Sequence, residues 1–306
     1  MICIETLAFQ DAMARLAECH ADSGVDDDPL SMKLLGVSGV GKSFIFKEYC
    51  LRHPPVIEDE VTRIPVVRVQ IPSKPTRKSI FAAFLKAVQI NVGSGSADRL
   101  RERAQMLYTT CGVEFICVDE IQHLIDRGQA NTFASAADAL KEILDLLKIP
   151  VAYGGAPRAR ILFAHNGQLR SRVPEMLKLH PFDLEDRFPQ FRGFLYELAA
   201  GMREENRKWL ASINVATRMF YATDGIHRTT AFMVKRMRSM AGKGQTLNFF
   251  TLEKMFERHY WSAASAELNP FHKSFAMRRL NRVGELHEPT YLDGDNHEED
   301  MFYEQA

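Results

Sequence analysis

Two kinds of apolar pattern alternate along the first two thirds of this 306-residue chain. Stretches dominated by apolar or β-branched residues, each carrying one or two charged residues, stand at 31–35, at Ile64–Ile71, at 112–119 and at 148–156. Runs of that length without polar alternation suit strands covered on both faces of a sheet. Between them the apolar positions recur at helical spacing. Phe9, Met13, Leu16 and Ala17 can share one face. Phe44–Tyr49, Ile80–Ile90, a segment from Ser96 to about Tyr108, Phe133–Leu147 and Pro157–Ala164 read as further helices. Ser79 and Ser96 are placed to cap two of them, and Pro157 suits a first helical turn. Beyond residue 186 the strand pattern stops. Gln190–Ile213, Asn214–Tyr221, Arg228–Met240 and Leu252–Ala266 are all helical by spacing. The alternation predicts an α/β fold, a parallel sheet flanked by helices, followed by a small helical lid.

The polar positions at the ends of two strands change this from an architecture to a chemistry. The first run leads into Gly36-Val37-Ser38-Gly39-Val40-Gly41-Lys42-Ser43, and Phe44 continues into a helix. Strand, glycine loop with Gly-Lys-Ser, then helix is the P-loop pattern. Its glycines let backbone N–H groups converge on phosphate oxygens. Gly36 to Phe44 are therefore expected to hold the phosphates of a nucleotide. Lys42 is expected at the β- and γ-phosphates, and the Ser43 hydroxyl on Mg²⁺. The third run, Gly112-Val113-Glu114-Phe115-Ile116-Cys117-Val118-Asp119-Glu120, ends in two carboxylates. Asp119 is expected in the Mg²⁺ shell, and Glu120 to orient or deprotonate the attacking water. Both strands should lie in one parallel sheet, with the nucleotide outside their carboxyl ends. Gln122 and His123 follow as candidates for sensing the γ-phosphate, with a structural role as the alternative.

Charge adds local detail only. Lys+Arg and Asp+Glu stand at 39 each, so a nucleic-acid surface has to be a local patch. One candidate is Pro72-Ser73-Lys74-Pro75-Thr76-Arg77-Lys78, at the carboxyl end of a core strand and the start of a helix. It reads either as a grip on a phosphate backbone or as a solvated turn. The next helix carries Arg99, Arg101 and Arg103 among acidic residues. No run is apolar for the length of a membrane span, the N-terminus lacks a secretory pattern, and the five cysteines form no metal-type spacing. A cytoplasmic protein without a membrane partner is expected. The segments read as 1–30 N-terminal helical, 31–185 P-loop core, 186–268 helical lid and 269–306 tail. That tail carries a basic patch of Lys273, Arg278, Arg279 and Arg282, then the acidic stretch 293–300. It is expected to be extended or disordered alone and to dock a partner.

These residues resemble the TniB/TnsC group of AAA+ ATPases, regulators of DNA transposition. The resemblance rests on Gly36–Ser43, on Val66–Pro72 with its basic turn, and on Cys111 to Leu124. It continues through Ile149-Pro150-Val151 with Gly154-Gly155, and Gln168-Leu169-Arg170-Ser171-Arg172, and covers roughly Phe9 to Met240. It implies an ATPase that uses ATP and Mg²⁺ and forms a homo-oligomer, a ring or helical filament, on duplex DNA. It implies further partners: a DDE-type transposase and a TniQ-like target-selection protein. By the same resemblance Lys78 and Ser96 contact DNA, with Lys74, Arg77 and Arg103 as neighbours. Arg172, or else Arg170, is the finger that reaches a neighbouring subunit's nucleotide. Arg228 in the lid contacts nucleotide. Two departures stand out. Relatives usually show Gly-Thr where this chain has Gly155-Ala156, which removes a hydroxyl expected to sense the γ-phosphate. The lid motif Gly225-Ile226-His227-Arg228 is one residue shorter than the usual form. A helicase or replication loader, and a STAND-type signalling ATPase that does not bind DNA, remain the alternative readings.

Overall fold

Strands rich in Val, Ile and Leu have nowhere to hide their side chains except between two helical layers, and that requirement sets the architecture here. The computed structural model describes residues 3–25, 29–126, 130–165 and 171–289, with side chains of 130–136 and 165 left aside. In chain order the elements are α1 (Leu7–Ala21), β1 (Met32–Gly36), α2 (Lys42–Arg52), β2 (Val56–Ile57), β3 (Thr62–Arg63), β4 (Val66–Gln70), α3 (Arg77–Ala87) and α4 (Ala97–Thr110). Then come β5 (Phe115–Asp119), α5 (His123–Asp126), α6 (Ala130–Leu147), β6 (Val151–Gly155), a 3₁₀ turn (Pro157–Ala159), α7 (Arg160–His165) and β7 (Glu175–Leu179). The helices α8 (Phe188–Leu198), α9 (Glu204–Leu210), α10 (Ile213–Thr223), α11 (His227–Gly242) and α12 (Phe249–His259) complete it. Among the described residues no helix is long and apolar enough to cross a membrane.

The chain divides into two units. The sheet unit comprises 8–38 and 42–179, and the helical unit 3–7, 39–41 and 180–289. In the sheet unit five strands run in the order β4-β5-β6-β1-β7, with every pairing parallel. One face is covered by α3, α4 and α6, whose Phe81, Phe84, Tyr108 and Ile143 meet Val67, Val69, Ile116 and Val118. On the other, Tyr49 of α2 stands edge-on to Phe115 at 5.6 Å. Gly154 of β6 leaves room for Phe46, since a Cβ there would come within 2.4 Å of that ring.

The predicted helix Gln190–Ile213 is divided into α8 and α9, the predicted helix Leu252–Ala266 ends at His259, and the short elements β2, β3 and α5 had no predicted counterpart. Three further differences follow. The cap of α3 is Thr76, not Ser79. Thr76 Oγ1 accepts from Ser79 N–H (3.1 Å), and Ser79 Oγ accepts from Thr76 N–H (2.8 Å). This reciprocal capping box moves the helix start three residues upstream of the predicted Ile80. The predicted cap Ser96 does accept from Arg99 N–H (3.3 Å) at the start of α4. Secondly, β7 has no counterpart in the predicted elements. It is an edge strand, and its Glu-Met-Leu-Lys-Leu sequence is largely solvated, so it carries no apolar run. Thirdly, residues 269–289 are not extended away from the fold. Asn269, Phe271, Phe275 and Leu280 are buried, with Phe271 in the core of the helical unit. Arg218 Nη1 donates to Pro270 O (2.5 Å) and His272 O (3.0 Å), and Arg279 pairs in a two-pronged manner with Asp224. Residues 290–306, including the acidic stretch, lie outside the described residues.

Candidate nucleotide site and comparison with known proteins

Parallel pairing puts the carboxyl ends of β1 and β5 on the same side of the sheet, with β6 between them. The glycine loop leaves β1 there, and Asp119-Glu120 ends β5 there. The two candidate motifs, 78 positions apart by number from Lys42 to Glu120, are thereby brought to one end of the sheet.

In the loop, Gly39 and Gly41 have φ of +87° and +112°, conformations that glycine adopts without strain. A Cβ added to Gly41 would meet nothing within 4 Å, so the backbone and not crowding demands glycine there. Lys42 opens α2 and is only 8% exposed. Its Nζ donates to Gly36 O (2.5 Å) and Val37 O (2.9 Å), which keeps the ammonium inside the loop's curve. Such a cation, ringed by backbone groups at a helix N-terminus, suits a polyphosphate. Ser43 and Phe44 are half-buried on the first turn of α2, with the Phe44 ring 6.1 Å from Phe9.

Asp119 is fully buried. Its Oδ2 accepts from Arg68 Nε (3.1 Å) and Nη2 (2.6 Å), and its Oδ1 accepts from Glu120 N–H (3.0 Å). Arg68 is a site residue that the sequence reading passed over. The signal was a charged residue in Val66-Val67-Arg68-Val69 of β4, a strand otherwise apolar up to that point. Glu120 has φ of +61°. Its carboxylate accepts from Gln122 Nε2, and Gln122 Oε1 accepts from Ala156 N–H (3.0 Å). His123 hydrogen bonds to Ile71 O through Nδ1 (3.0 Å) and thereby ties β5's exit to the end of β4. Among the described residues no cluster of three or more His, Cys, Asp or Glu could hold a metal ion. That donor set is not required for Mg²⁺, which keeps water and phosphate ligands and needs one or two protein oxygens. Half-buried Ser43 and buried Asp119, whose oxygens are already engaged by Arg68 and Glu120 N–H, are the two candidate oxygen donors.

Arg172 stands at the opposite, amino end of the sheet. Ser31 N–H, ahead of β1, donates to Arg172 O (2.9 Å), Ser31 Oγ accepts from Val151 N–H (3.0 Å), and the Arg172 guanidinium pairs with Asp145. Arg172 therefore lies a full strand length from its own chain's glycine loop. Gln168 and Arg170 lie outside the described residues.

The residues of the basic turn part company. Lys74, Lys78 and Ser96 are exposed. Arg77 turns to Asp98 (2.8 Å) and Glu142 (3.1 Å) and lies over the Phe81 ring (5.2 Å). Glu142 also accepts from Arg101 (2.5 Å), and the two guanidinium groups, Arg101 first, hold its carboxyl below the usual carboxylate range. Arg103 Nη1 donates to Val92 O (3.0 Å). The structure thus brings Lys74 and Lys78 to the surface and draws Arg77 into a network joining α3, α4 and α6.

In the helical unit, Arg228 is exposed at the start of α11, and its N–H donates to Gly39 O (3.0 Å). A Cβ on Gly39 would come within 2.8 Å of Ile226 Cγ2. His227 stacks on Phe182 (4.4 Å), and burial, with the charge of Arg187, pushes its pKa down to about 4.

The chain is similar in structure to the ORC2 protein of Aeropyrum pernix in its ADPNP–ADP complexes, with a TM-score of 0.57, 14% identity, and 87% of this chain and 73% of that chain covered. It is similar to the A. pernix ORC1 protein in complex with DNA (TM-score 0.55, 17% identity, 81% and 65% covered). It is also similar to Cdc6p from Pyrobaculum aerophilum (TM-score 0.54, 11% identity, 87% and 71% covered). At these identities the likeness is one of fold, and it agrees with the AAA+ architecture expected from the sequence. No curated protein matches the sequence. Residues 3–183, more than half of the chain, match the family model described as bacterial TniB protein, and the chain belongs to the TniB family.

Proposed function

We propose that this protein is an ATPase that regulates DNA transposition, assembling on duplex DNA when it holds ATP. The observation that carries the reading is the meeting of the glycine loop with Asp119-Glu120 at one end of the sheet, in a chain of the TniB family. Gly36 to Phe44 hold the phosphates, Lys42 offsets their charge, and Ser43 with Asp119 holds Mg²⁺. The metal, when bound, neutralises charge on the phosphate oxygens. Glu120 accepts a proton from water as the water oxygen bonds to the γ-phosphorus. The bond from that phosphorus to the bridging oxygen breaks, and its electron pair leaves on ADP.

Arg172 completes the neighbouring subunit's site, a reading supported by its distance from its own loop. Assembly then depends on nucleotide, because the finger must exchange its pairing with Asp145 for the charge of a neighbour's triphosphate. Lys74, Lys78 and Ser96 contact DNA phosphates, with Arg77 and Arg103 holding the helices that carry them. Binding is therefore salt-sensitive and weak in sequence preference. The assembled form recruits or activates a DDE-type transposase and meets a TniQ-like target-selection protein. By the family resemblance, Arg228 is a nucleotide-contacting residue.

The test is negative-stain microscopy of the protein with duplex DNA under ATP, ADP and no nucleotide. Ordered rings or filaments are expected with ATP alone, absent in Lys42→Ala and longer-lived in Glu120→Gln. Filaments of Lys42→Ala indistinguishable from wild type would sink the reading.

A further inference from the structure

Residues 119–123 leave β5 in a turn fastened on both sides. Ile71 N–H donates to Asp119 O (3.0 Å), Ile121 N–H to Gly154 O (3.0 Å), and His123 N–H closes the turn on Glu120 O (3.0 Å). At its apex Glu120 sits at φ +61°, a left-handed conformation disfavoured for a residue with a Cβ. Strain that its surroundings sustain is a mark of an imposed geometry. The side chain bonded to the strained residue's carboxylate is Gln122.

Gln122 is 7% exposed, and both ends of its amide are used. Oε1 accepts from the N–H of Ala156, the first residue past β6 (3.0 Å), and Nε2 donates to Glu120 Oε2. The orientation of the amide follows from chemistry. A backbone N–H can only donate and an ionised carboxylate can only accept, so the flipped amide would oppose donor to donor and acceptor to acceptor. Glycine at 155 makes room for this bridge. A Cβ there would come within 3.1 Å of Gln122 Oε1 and 2.7 Å of Ile121 Cγ2. Ala156 itself carries no hydroxyl, so the polar link from the end of β6 to Glu120 runs through the Gln122 amide.

We propose that Gln122 is a positioning residue for Glu120. It holds the carboxylate in the orientation from which the proton of the attacking water is taken, and it makes that orientation depend on the end of β6. A neutral amide suits the task. It occupies one carboxylate oxygen, leaves the other to accept the proton, and adds no charge that would quench the base. The proposal rests on the reading of Glu120 as the base in ATP hydrolysis given above.

Three variants test it against wild type and Glu120→Gln. Gln122→Leu removes both bonds. Gln122→Glu keeps an acceptor for Ala156 N–H but sets one carboxylate against another. Glu120→Gln with Gln122→Glu reverses the polarity of the bond and restores it. The melting temperature should fall in Gln122→Glu and recover in the double variant, a response independent of turnover. The kcat for ATP should fall by about tenfold or more in Gln122→Leu and Gln122→Glu, with ATP affinity within about threefold of wild type. The double variant should regain stability without regaining turnover. Turnover within about twofold of wild type in either single variant overturns the proposal. So does a double variant that melts no higher than Gln122→Glu, and these two readings decide the matter if Gln122→Leu does not fold. Failure of the underlying reading has a different appearance. Glu120→Gln would then turn over ATP as wild type does, and the proposal would fall with it.

Discussion

Arg68 is a charge on a strand that otherwise reads as core, and its place becomes intelligible only through the strand beside it. In the β4–β5 register Arg68 lies opposite Cys117 and Gln70 opposite Asp119, so the guanidinium reaches along the neighbouring strand by two residues. There it meets a carboxylate that is wholly buried. A buried carboxylate is costly to leave alone, and removal of its partner typically costs about 3 kcal/mol or more. Arg68→Ala is therefore expected to lower the unfolding free energy by about that amount, and Arg68→Lys by less, because an ammonium supplies charge without the fork. Urea unfolding of the three proteins checks this. An Arg68→Ala protein as stable as wild type would mean that Asp119 is satisfied in another way. At this same scale Gly36–Ser43 and Asp119-Glu120 were legible from sequence. Arg68 and the bridging role of Gln122 were not, because each depends on which strand lies next to which.

Among elements, the turn between α10 and α11 shows how a single backbone demand can hold a segment. Asp224 has φ of +51° and Gly225 of +67°. Phe182 N–H donates to Gly225 O (3.1 Å), and a Cβ on Gly225 would stand 2.2 Å from Phe182 O. Gly225→Ala must both strain the turn and push the Phe182 backbone away. We expect it to lower the melting temperature by at least about 5 °C. Gly193, inside α8, is the control. It has open space around it, so Gly193→Ala should hold or raise stability, by up to about 1 kcal/mol. Calorimetry of both variants decides; equal melting temperatures would refute the argument from the backbone. The elements themselves were mostly legible, since helical spacing and apolar strands are local patterns. The start of α3 was displaced because Thr76 and Ser79 satisfy one another, and either residue alone looks like a cap. The edge strand β7 was missed because it buries little.

Across the whole molecule, the segment after α12 changes role. Its composition suggests a solvated tail, yet Phe271, Phe275 and Leu280 are buried and Arg279 is clasped to Asp224. Each large apolar side chain so buried stabilises by about 2 kcal/mol. Deletion of residues 269–306 should therefore lower the melting temperature sharply or leave the protein insoluble. Deletion of 290–306 alone removes none of these side chains and should leave the melting temperature close to that of the full chain. Thermal unfolding of both truncations separates the outcomes, and a 1–268 chain as stable as the full chain would show that the packed segment adds nothing.

The sequence by itself determined the glycine loop between strand and helix, the strand that ends in paired carboxylates, the alternation that makes a covered parallel sheet, and the family. These are constraints within a few residues: glycine where φ must be positive, a helix directly after the loop, apolar runs where both faces are covered. Only the tertiary structure decided that Arg68 holds Asp119, that Gln122 spans Glu120 and Ala156, that Arg77 faces Glu142 and not outward, and that Arg172 sits at the amino end of the sheet. The reason is physical. Each of those facts is set by strand order, register and helix packing. The first three join residues 34 to 65 positions apart, and no local pattern carries that information.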